Sequence, residues 1–158
     1  GAHIWTSASP DLRYWGDHHL LLEAREGGWW DARKIGLGPP PLETPDGWLI
    51  MYHGVRTTAA GSLYRSGLAL LDLEEPNVVL NRSDDWVLGP EAHYERAGDV
   101  ADIVFPCGWV HDEETDTLRV YSGAADTSVA VGTARLSDVL AYVKSCPPPH
   151  RRRQSDRP

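Results

Sequence analysis

Three side chains that can carry positive charge lie close together in the chain: Lys34, His53 and Arg65. A phosphate-like anion needs several charge-assisted hydrogen bonds, for which Arg offers a bidentate fork, Lys a point charge and His a ring N–H. The three residues therefore predict an anion site, provided that the fold brings them together. Ordinary roles stay open for each: a solvated turn lysine, a hydrogen-bonded strand histidine and an ion-paired arginine.

Two aspartates could bind or act on a sugar. Asp102 opens the apolar run "DIVFPCGWV", and Asp126 lies among small residues in "GAADTS". A carboxylate in such a position can accept hydrogen bonds from neighbouring sugar hydroxyls, and two carboxylates across a cleft are the minimal apparatus of a glycosidase. The alternative is an aspartate that binds its own backbone in a turn. The spacing does not decide whether the two face each other.

Other catalytic and metal-binding patterns are absent from the sequence. It contains no G-x-S-x-G elbow, no H-E-x-x-H and no P-loop. In "DHH", Asp17 and His19 would share one strand face while His18 points away, and two ligands are too few for a metal site. We expect neither a metal nor a cofactor.

Short apolar runs separated by Gly, Pro, Asp and Glu must position these residues. This alternation predicts an all-β fold. One helix is predicted over "LSDVLAYVKS", with Ser137 as its N-cap and Val139, Leu140 and Val143 on one side. The predicted strands are Ala2–Ser7, His19–Ala24, Trp48–Gly54, Ser66–Leu71, Asp102–His111, Thr117–Ser122 and Val129–Ala134.

An internal echo suggests repeated small sheets. The segment "DGWLIMYHG" ends at Gly54 and "TDTLRVYSG" ends at Gly123, 69 positions later. Each follows a Pro-containing strand start and precedes a loop and a further strand. Repeated antiparallel sheets are typical of a β-propeller, of which this chain would hold roughly two and a half blades. A β-sandwich is the second possibility.

The composition describes an acidic globular chain. Its 158 residues, 41% hydrophobic and 24% charged, suffice for one domain with one core. The formal net charge of −8 argues against a general nucleic-acid-binding surface. Seven Trp and six Tyr against one Phe suit a sugar-binding cleft, but they also suit a β-rich core.

The ends of the chain and its cysteines bear on boundaries and location. We expect one domain over residues 1–146 and a disordered tail over residues 147–158, "PPPHRRRQSDRP". Cys107 and Cys146 form neither a disulfide framework nor a zinc pattern, so buried free thiols in a reducing compartment are expected. With no bilayer-spanning apolar run and no visible signal peptide, a cytoplasmic location is predicted. The start "GAHIWTSASPD" has no Met, and the chain looks like a piece of a longer protein.

Five segments, in order from Ile4 to Leu140, resemble the C-terminal half of glycoside hydrolase family 130, the β-mannoside phosphorylases and their mannosidase relatives. They are "TSASPDLRYWGDHHLLLE", "WWDARKIGLGPPPLETPDGWLIMYHGV", "YRSGLALLDLEEPNVVLNRSDD", "PEAHYERAGDVADIVFPCGWV" and "TLRVYSGAADTSVAVGTARLSDVL". The resemblance implies a partial five-bladed β-propeller with its active site in the central pocket. It also implies an inverting enzyme that splits short β-mannosides with inorganic phosphate, a co-substrate, and releases mannose 1-phosphate.

The resemblance also implies roles for individual residues. Lys34, just before the Gly-Pro loop, and His53 of "YHG" match the phosphate clamp of the family, while Asp126 of "GAADT" matches an acid that binds the sugar in the cleavage subsite. Arg65 and Tyr64 match a motif position without a detailed role; we assign Arg65 to phosphate and Tyr64 to substrate.

Asp102 is a further substrate-binding candidate, ranked below Asp126 because many relatives carry Asn at that position. The single catalytic acid of the family lies in the N-terminal half, which this sequence does not include. We therefore assign no catalytic residue and expect the chain alone to be inactive or very weak.

Two other functions stay open at this point. The protein could hydrolyse β-mannosides with water, as other members of the family do, or it could be a non-catalytic carbohydrate-binding or assembly module. The expected partners are a β-mannoside oligosaccharide and phosphate, with either further copies of the chain or a missing N-terminal half. Neither nucleic acid nor membrane is expected.

Overall fold

Strands dominate the computed structural model, which describes residues 1–59 and 61–149. In chain order the strands are β1 (Ile4–Ala8), β2 (Gly16–Leu22), β3 (Lys34–Leu37), β4 (Leu42–Thr44), β5 (Gly47–Thr58), β6 (Gly61–Leu71), β7 (Val79–Arg82), β8 (Val104–Asp112), β9 (Thr117–Ala124) and β10 (Ser128–Arg135). The helices are α1 (His93–Arg96) and α2 (Leu136–Ser145). The all-β class with a short C-terminal helix is thereby confirmed.

The strands form three antiparallel sheets. β1 pairs with β2, the central sheet has the order β3-β5-β6-β7 with β4 also on β5, and the third sheet has the order β8-β9-β10. No closed barrel forms among the described residues. The partner of each strand is close in sequence, so short hairpin loops explain most of the topology.

The central sheet is apolar on both faces because both faces are covered. One face packs against the β1–β2 hairpin around Ile50, Tyr52, Ala69 and Leu71. The opposite face packs against Leu118 of β9 and against α2 around Leu49, Met51, Leu68 and Leu70. β5 therefore stands between two cores, and successive residues along it point into different ones.

All seven predicted strands are present, with shifted ends. β3, β4 and β7 were not predicted, since runs of four, three and four residues are too short to show a period. The prediction was wrong at Asp102: β8 begins at Val104, and Asp102 lies in the preceding turn with a left-handed φ of 57°.

The internal echo is confirmed at the level of strand order. β5 and β9 are each followed by an antiparallel partner, and each is an interior strand of its sheet. The side chains of the repeated motif do not share an environment, because Tyr52 is fully buried whereas Tyr121 is 38% exposed. The repetition therefore describes the path of the chain and not its packing.

Helix α2 covers the predicted segment, and Leu140 and Val143 are buried against the central sheet. The N-cap prediction was wrong: Arg135 holds that position, and Ser137 lies inside the first turn. The Ser137 hydroxyl donates instead to Asp116 Oδ2 at 2.5 Å, which ties the helix start to the β8–β9 turn.

The chain after α2 returns to the central sheet. The Arg82 backbone N–H donates to the Pro147 carbonyl at 3.0 Å, so the first residue of the predicted tail is hydrogen-bonded to β7. The remainder of that tail, from residue 150 onward, lies outside the described residues.

Both cysteines are free thiols, but the expectation that they are buried was wrong, since Cys107 is exposed and Cys146 is half-buried. Within residues 1–59 and 61–149, no helix has the length and apolar character that crossing a bilayer requires.

A buried ion cluster, which we call the Asp31 cluster, ties the segment before β3 to β5 and β7. Asp31 Oδ2 accepts hydrogen bonds from Arg82 Nη2 at 2.7 Å and from the Tyr52 hydroxyl at 3.0 Å, and Oδ1 accepts from Arg25 Nε at 2.9 Å. The Asp31 side chain is 0% exposed. Burial raises the pKa of Tyr52 to about 12, so its phenol keeps the proton that it donates.

Candidate functional site

Lys34 and His53 lie on the same face of the central sheet. In the β3–β5 pair, Lys34 stands opposite Val55 and Gly36 stands opposite His53. Cross-strand partners share a face, as do residues two apart on one strand. The face that carries Lys34 and His53, which we call the cationic face, is the one turned toward the third sheet.

The His53 ring is half-buried between aromatic neighbours. Its centroid lies 6.5 Å from that of Tyr64 on β6 and 4.9 Å from that of Phe105 on β8. Burial, and secondly the charge of Lys34, lower the pKa of His53. The imidazole is therefore neutral at pH 7, with a single N–H to donate.

Gly36 provides the space that the His53 ring occupies. A Cβ on Gly36 would clash with His53 Cε1 and lie 2.8 Å from Nε2. The absence of a side chain at this position of β3 is what allows the imidazole to lie across the strand.

Replacement of Gly36 by alanine should displace the His53 ring without unfolding the sheet. Because burial is the main cause of the lowered pKa, a ring pushed toward solvent should titrate at higher pH than in the original chain. NMR titration of the His53 ring protons measures this shift. Gly132→Ala, on β10 with no atom within 4 Å of the new Cβ, is the matched control. An unchanged His53 titration in Gly36→Ala would contradict this packing.

Tyr64 joins the cationic face, whereas Arg65 does not. Tyr64 stands opposite Val55, in the same row as Lys34, while Arg65 stands opposite Gly54 and so points to the other face. The Arg65 guanidinium donates to the Tyr64 carbonyl at 2.7 Å and lies 5.7 Å from the Trp86 ring. The register thus brings together Lys34, His53 and Tyr64 and separates Arg65 from them.

Asp102 and Asp126 lie on adjacent segments. Asp126 is in the tight β9–β10 turn with a φ of 51°, and both side chains are exposed. The Ala125 N–H donates to the Ile103 carbonyl at 2.9 Å, which joins the turn to the segment that follows Asp102. No partner for the Asp126 carboxylate is found among residues 1–59 and 61–149, so an Asx-turn does not occupy it.

Phe105 connects the two groups of residues. It contacts the His53 ring on one side and is paired with Gly123, three residues before Asp126, on the other. The sequence analysis missed Phe105 and Gly36. For Phe105, the available signal was that it is the single Phe of the chain. The role of Gly36 depends on the β3–β5 register, which the sequence did not show.

The described residues contain no cluster of three or more metal-ligating side chains. Asp17 and His19 do share a strand face as expected, and they form an exposed pair with Nε2 2.9 Å from Oδ1. We interpret this pair as a surface contact.

The cationic face carries hydrogen-bond donors of the kind that an anion requires, and the neighbouring sheet carries a free carboxylate. Lys34 is exposed and offers a mobile charge, His53 offers a neutral N–H, and Tyr64 offers a hydroxyl. The free carboxylate of Asp126, on the neighbouring sheet, can accept hydrogen bonds from hydroxyl groups. Together the two sheets present the two kinds of contact that a phosphate and a sugar require.

Comparisons with known proteins give a consistent family. The family model described as beta-1,4-mannooligosaccharide phosphorylase (Glyco_hydro_130) matches residues 1–145. A beta-1,4-mannooligosaccharide phosphorylase of Ruminococcus albus is 41% identical over 143 residues, which is 90% of this chain and 42% of that protein. A beta-1,2-mannobiose phosphorylase of Listeria innocua is 44% identical over 137 residues, which is 87% of this chain and 37% of that protein.

Solved structures agree with the sequence comparisons. The structure of the Listeria innocua beta-1,2-mannobiose phosphorylase in complex with beta-1,2-mannobiose superimposes with a TM-score of 0.81 at 43% identity, over 90% of this chain and 38% of that one. The chain thus spans about two fifths of the length of the relatives that it matches. On this evidence the chain belongs to glycoside hydrolase family 130, a family of glycoside phosphorylases and glycosidases.

Proposed function

We propose that this chain supplies the phosphate-binding and mannoside-binding faces of an inverting β-mannoside phosphorylase. The observation that carries the proposal is the row of Lys34, His53 and Tyr64 on one face, next to the strand pair that ends at Asp126. The relatives named above are phosphorylases of mannobiose and of mannooligosaccharides, which supports the same substrate class.

In the proposed reaction, a phosphate oxygen attacks the anomeric carbon of the mannosyl unit. The bond from this carbon to the bridging oxygen breaks, a general acid protonates the departing sugar, and mannose 1-phosphate of inverted configuration forms. Lys34 and His53 would hold the phosphate beside the anomeric carbon, where proximity and charge neutralisation lower the barrier. Asp126 would hold the mannosyl hydroxyls, with Asp102 at the edge of the same subsite.

We propose that the three sheets are successive blades of an incomplete propeller. Their face-to-face stacking supports this, with the central sheet between the hairpin and the third sheet. The rest of the family fold, which we place outside this chain, would contribute the general acid. The free thiols favour a reducing compartment and hence a cytoplasmic location.

The outer face of the third sheet is where we place the remainder of the fold. Val110, Val129 and Val131 on this face are 54%, 81% and 56% exposed. β10 pairs with β9 alone among the described strands, which leaves one of its edges open. A further sheet of the same family fold is the occupant that we propose, because the matched relatives are more than twice as long as this chain.

The proposed activity is tested by incubating mannobiose with the chain, alone and together with the N-terminal half of a family member, with and without inorganic phosphate. We expect mannose 1-phosphate only when phosphate and both halves are present. Release of free mannose without phosphate would favour a hydrolase. That alternative has support from a solved structure 27% identical to this chain, whose description assigns to the family glycoside hydrolases that target beta-1,2 mannosidic linkages in Candida mannan. Turnover by the isolated 158 residues would contradict the assignment of the acid to the missing half.

A further inference from the structure

His53 and Ser66 carry two buried polar atoms that lack hydrogen-bond partners. Within residues 1–59 and 61–149, His53 Nδ1 and Ser66 Oγ have no partner, and the Ser66 residue is 0% exposed. A buried polar atom that stays unpaired destabilises the fold, so two such atoms on opposed residues require an explanation.

The two atoms belong to directly opposed residues of β5 and β6. The backbone of Ser66 is bonded away from β5, because its N–H donates to the Leu88 carbonyl at 2.9 Å and its carbonyl accepts from the Val87 N–H at 2.7 Å. Ser66 and His53 therefore form a non-hydrogen-bonded antiparallel pair, the type in which opposed side chains come closest. Both side chains lie on the cationic face.

The two atoms are not bonded to each other as placed. We propose that a rotation of the Ser66 side chain, or one bridging water, lets the Ser66 hydroxyl donate a hydrogen bond to His53 Nδ1 and so hold the imidazole as its Nε2–H tautomer. The hydroxyl is a donor that can rotate, and Nδ1 accepts only when the proton is on Nε2. Ser66 is fully buried and cannot reach a ligand itself, so it acts as a positioning residue.

The tautomer decides whether His53 can bind an anion. A neutral imidazole has one N–H, and an anion needs that N–H at the ring nitrogen that faces it. Since Nδ1 is buried, Nε2 is the nitrogen that can meet a ligand. Among the described residues, Lys34 and Tyr64 are titratable groups that face the ring, and the charge of Lys34 opposes protonation at both nitrogens. A donor at Nδ1 is then the means by which an uncharged His53 offers its proton outward.

This inference rests on the proposed phosphate site, but its first test does not. Long-range ¹H–¹⁵N correlation spectra of the 158-residue chain, at neutral pH, report which ring nitrogen of His53 carries the proton. We expect the Nε2–H tautomer in the original chain. In Ser66→Ala we expect a shifted Nδ1 resonance and a population of the Nδ1–H form. Ser122→Ala, which removes another buried serine hydroxyl from β9, should leave the His53 spectrum unchanged.

The second test titrates the same samples with inorganic phosphate. Loss of one hydrogen bond behind the ring should weaken phosphate binding roughly two- to ten-fold in Ser66→Ala. An Nδ1–H tautomer in the original chain, or an Nδ1 resonance and a phosphate affinity that Ser66→Ala leaves unchanged, would overturn the inference. If no resonance of His53 or Lys34 responds to phosphate, the proposed function fails, while the tautomer spectra still decide the role of Ser66.

Discussion

Asp31→Asn should lower the free energy of unfolding by about 3–5 kcal/mol, the usual cost of removing one partner from a buried ion pair. Asp31 accepts hydrogen bonds from Arg25, Arg82 and Tyr52 and is fully buried. Without its charge, the Arg82 guanidinium, only 6% exposed, stays in the interior with no anion beside it. Urea unfolding followed by tryptophan fluorescence measures the change.

Asp84→Asn is the matched control for this prediction. Asp84 pairs with the same Arg25 at 3.1 Å, but its side chain is 53% exposed. Exposed ion pairs contribute about 0–1 kcal/mol, so this variant should unfold nearly like the original chain. Equal and small losses in the two variants would show that the Asp31 cluster does not stabilise the fold.

Lys34→Ala should reduce the affinity for inorganic phosphate about 10- to 100-fold. A hydrogen bond to a charged group contributes about 1.5–3 kcal/mol, and Lys34 is the lysine of the cationic face. Because the charge of Lys34 also lowers the pKa of His53, that pKa should rise slightly in the variant. Calorimetric titration at constant ionic strength measures the affinity, since salt screens exposed charges.

The chain itself provides two controls. Lys144, the other lysine of the chain, lies on α2, and its Nζ donates to Asp46 Oδ1 at 2.7 Å. Lys144→Ala should therefore leave phosphate binding unchanged. Arg65→Ala should have a much smaller effect than Lys34→Ala, because Arg65 lies on the opposite face of the sheet. Equal losses in all three variants would indicate a general effect of net charge and would remove the support for a specific site.

The parts of the fold that could be predicted from the sequence are those with a local signal. Long apolar runs bounded by turn residues located β5, β6, β8 and β9, and the pattern of apolar residues located α2, although not its N-cap. β3 has only four residues, yet it carries Lys34. Its existence depends on pairing with β5, a non-local contact that no run of apolar residues indicates.

The sequence indicated which residues belong to the candidate site, but not on which face of the sheet each of them lies. The sequence showed Lys34 and His53 on either side of a Gly-Pro loop, and the structure places both on one face. It could not show that Arg65 lies on the other face, because this follows from which residue of β6 stands opposite Gly54. The Asp31 cluster joins residues up to 57 positions apart and left no pattern in the sequence.

β5 places Tyr52 and His53 next to each other on opposite faces: Tyr52 is bonded to Asp31, and His53 lies on the cationic face. A slip of β5 by a single residue would send the phenol outward and bury the imidazole against two guanidinium groups. The Asp31 cluster therefore favours a single register of β5. By penalising the shifted pairing, these buried charges also decide which side chains of β5 make up the cationic face.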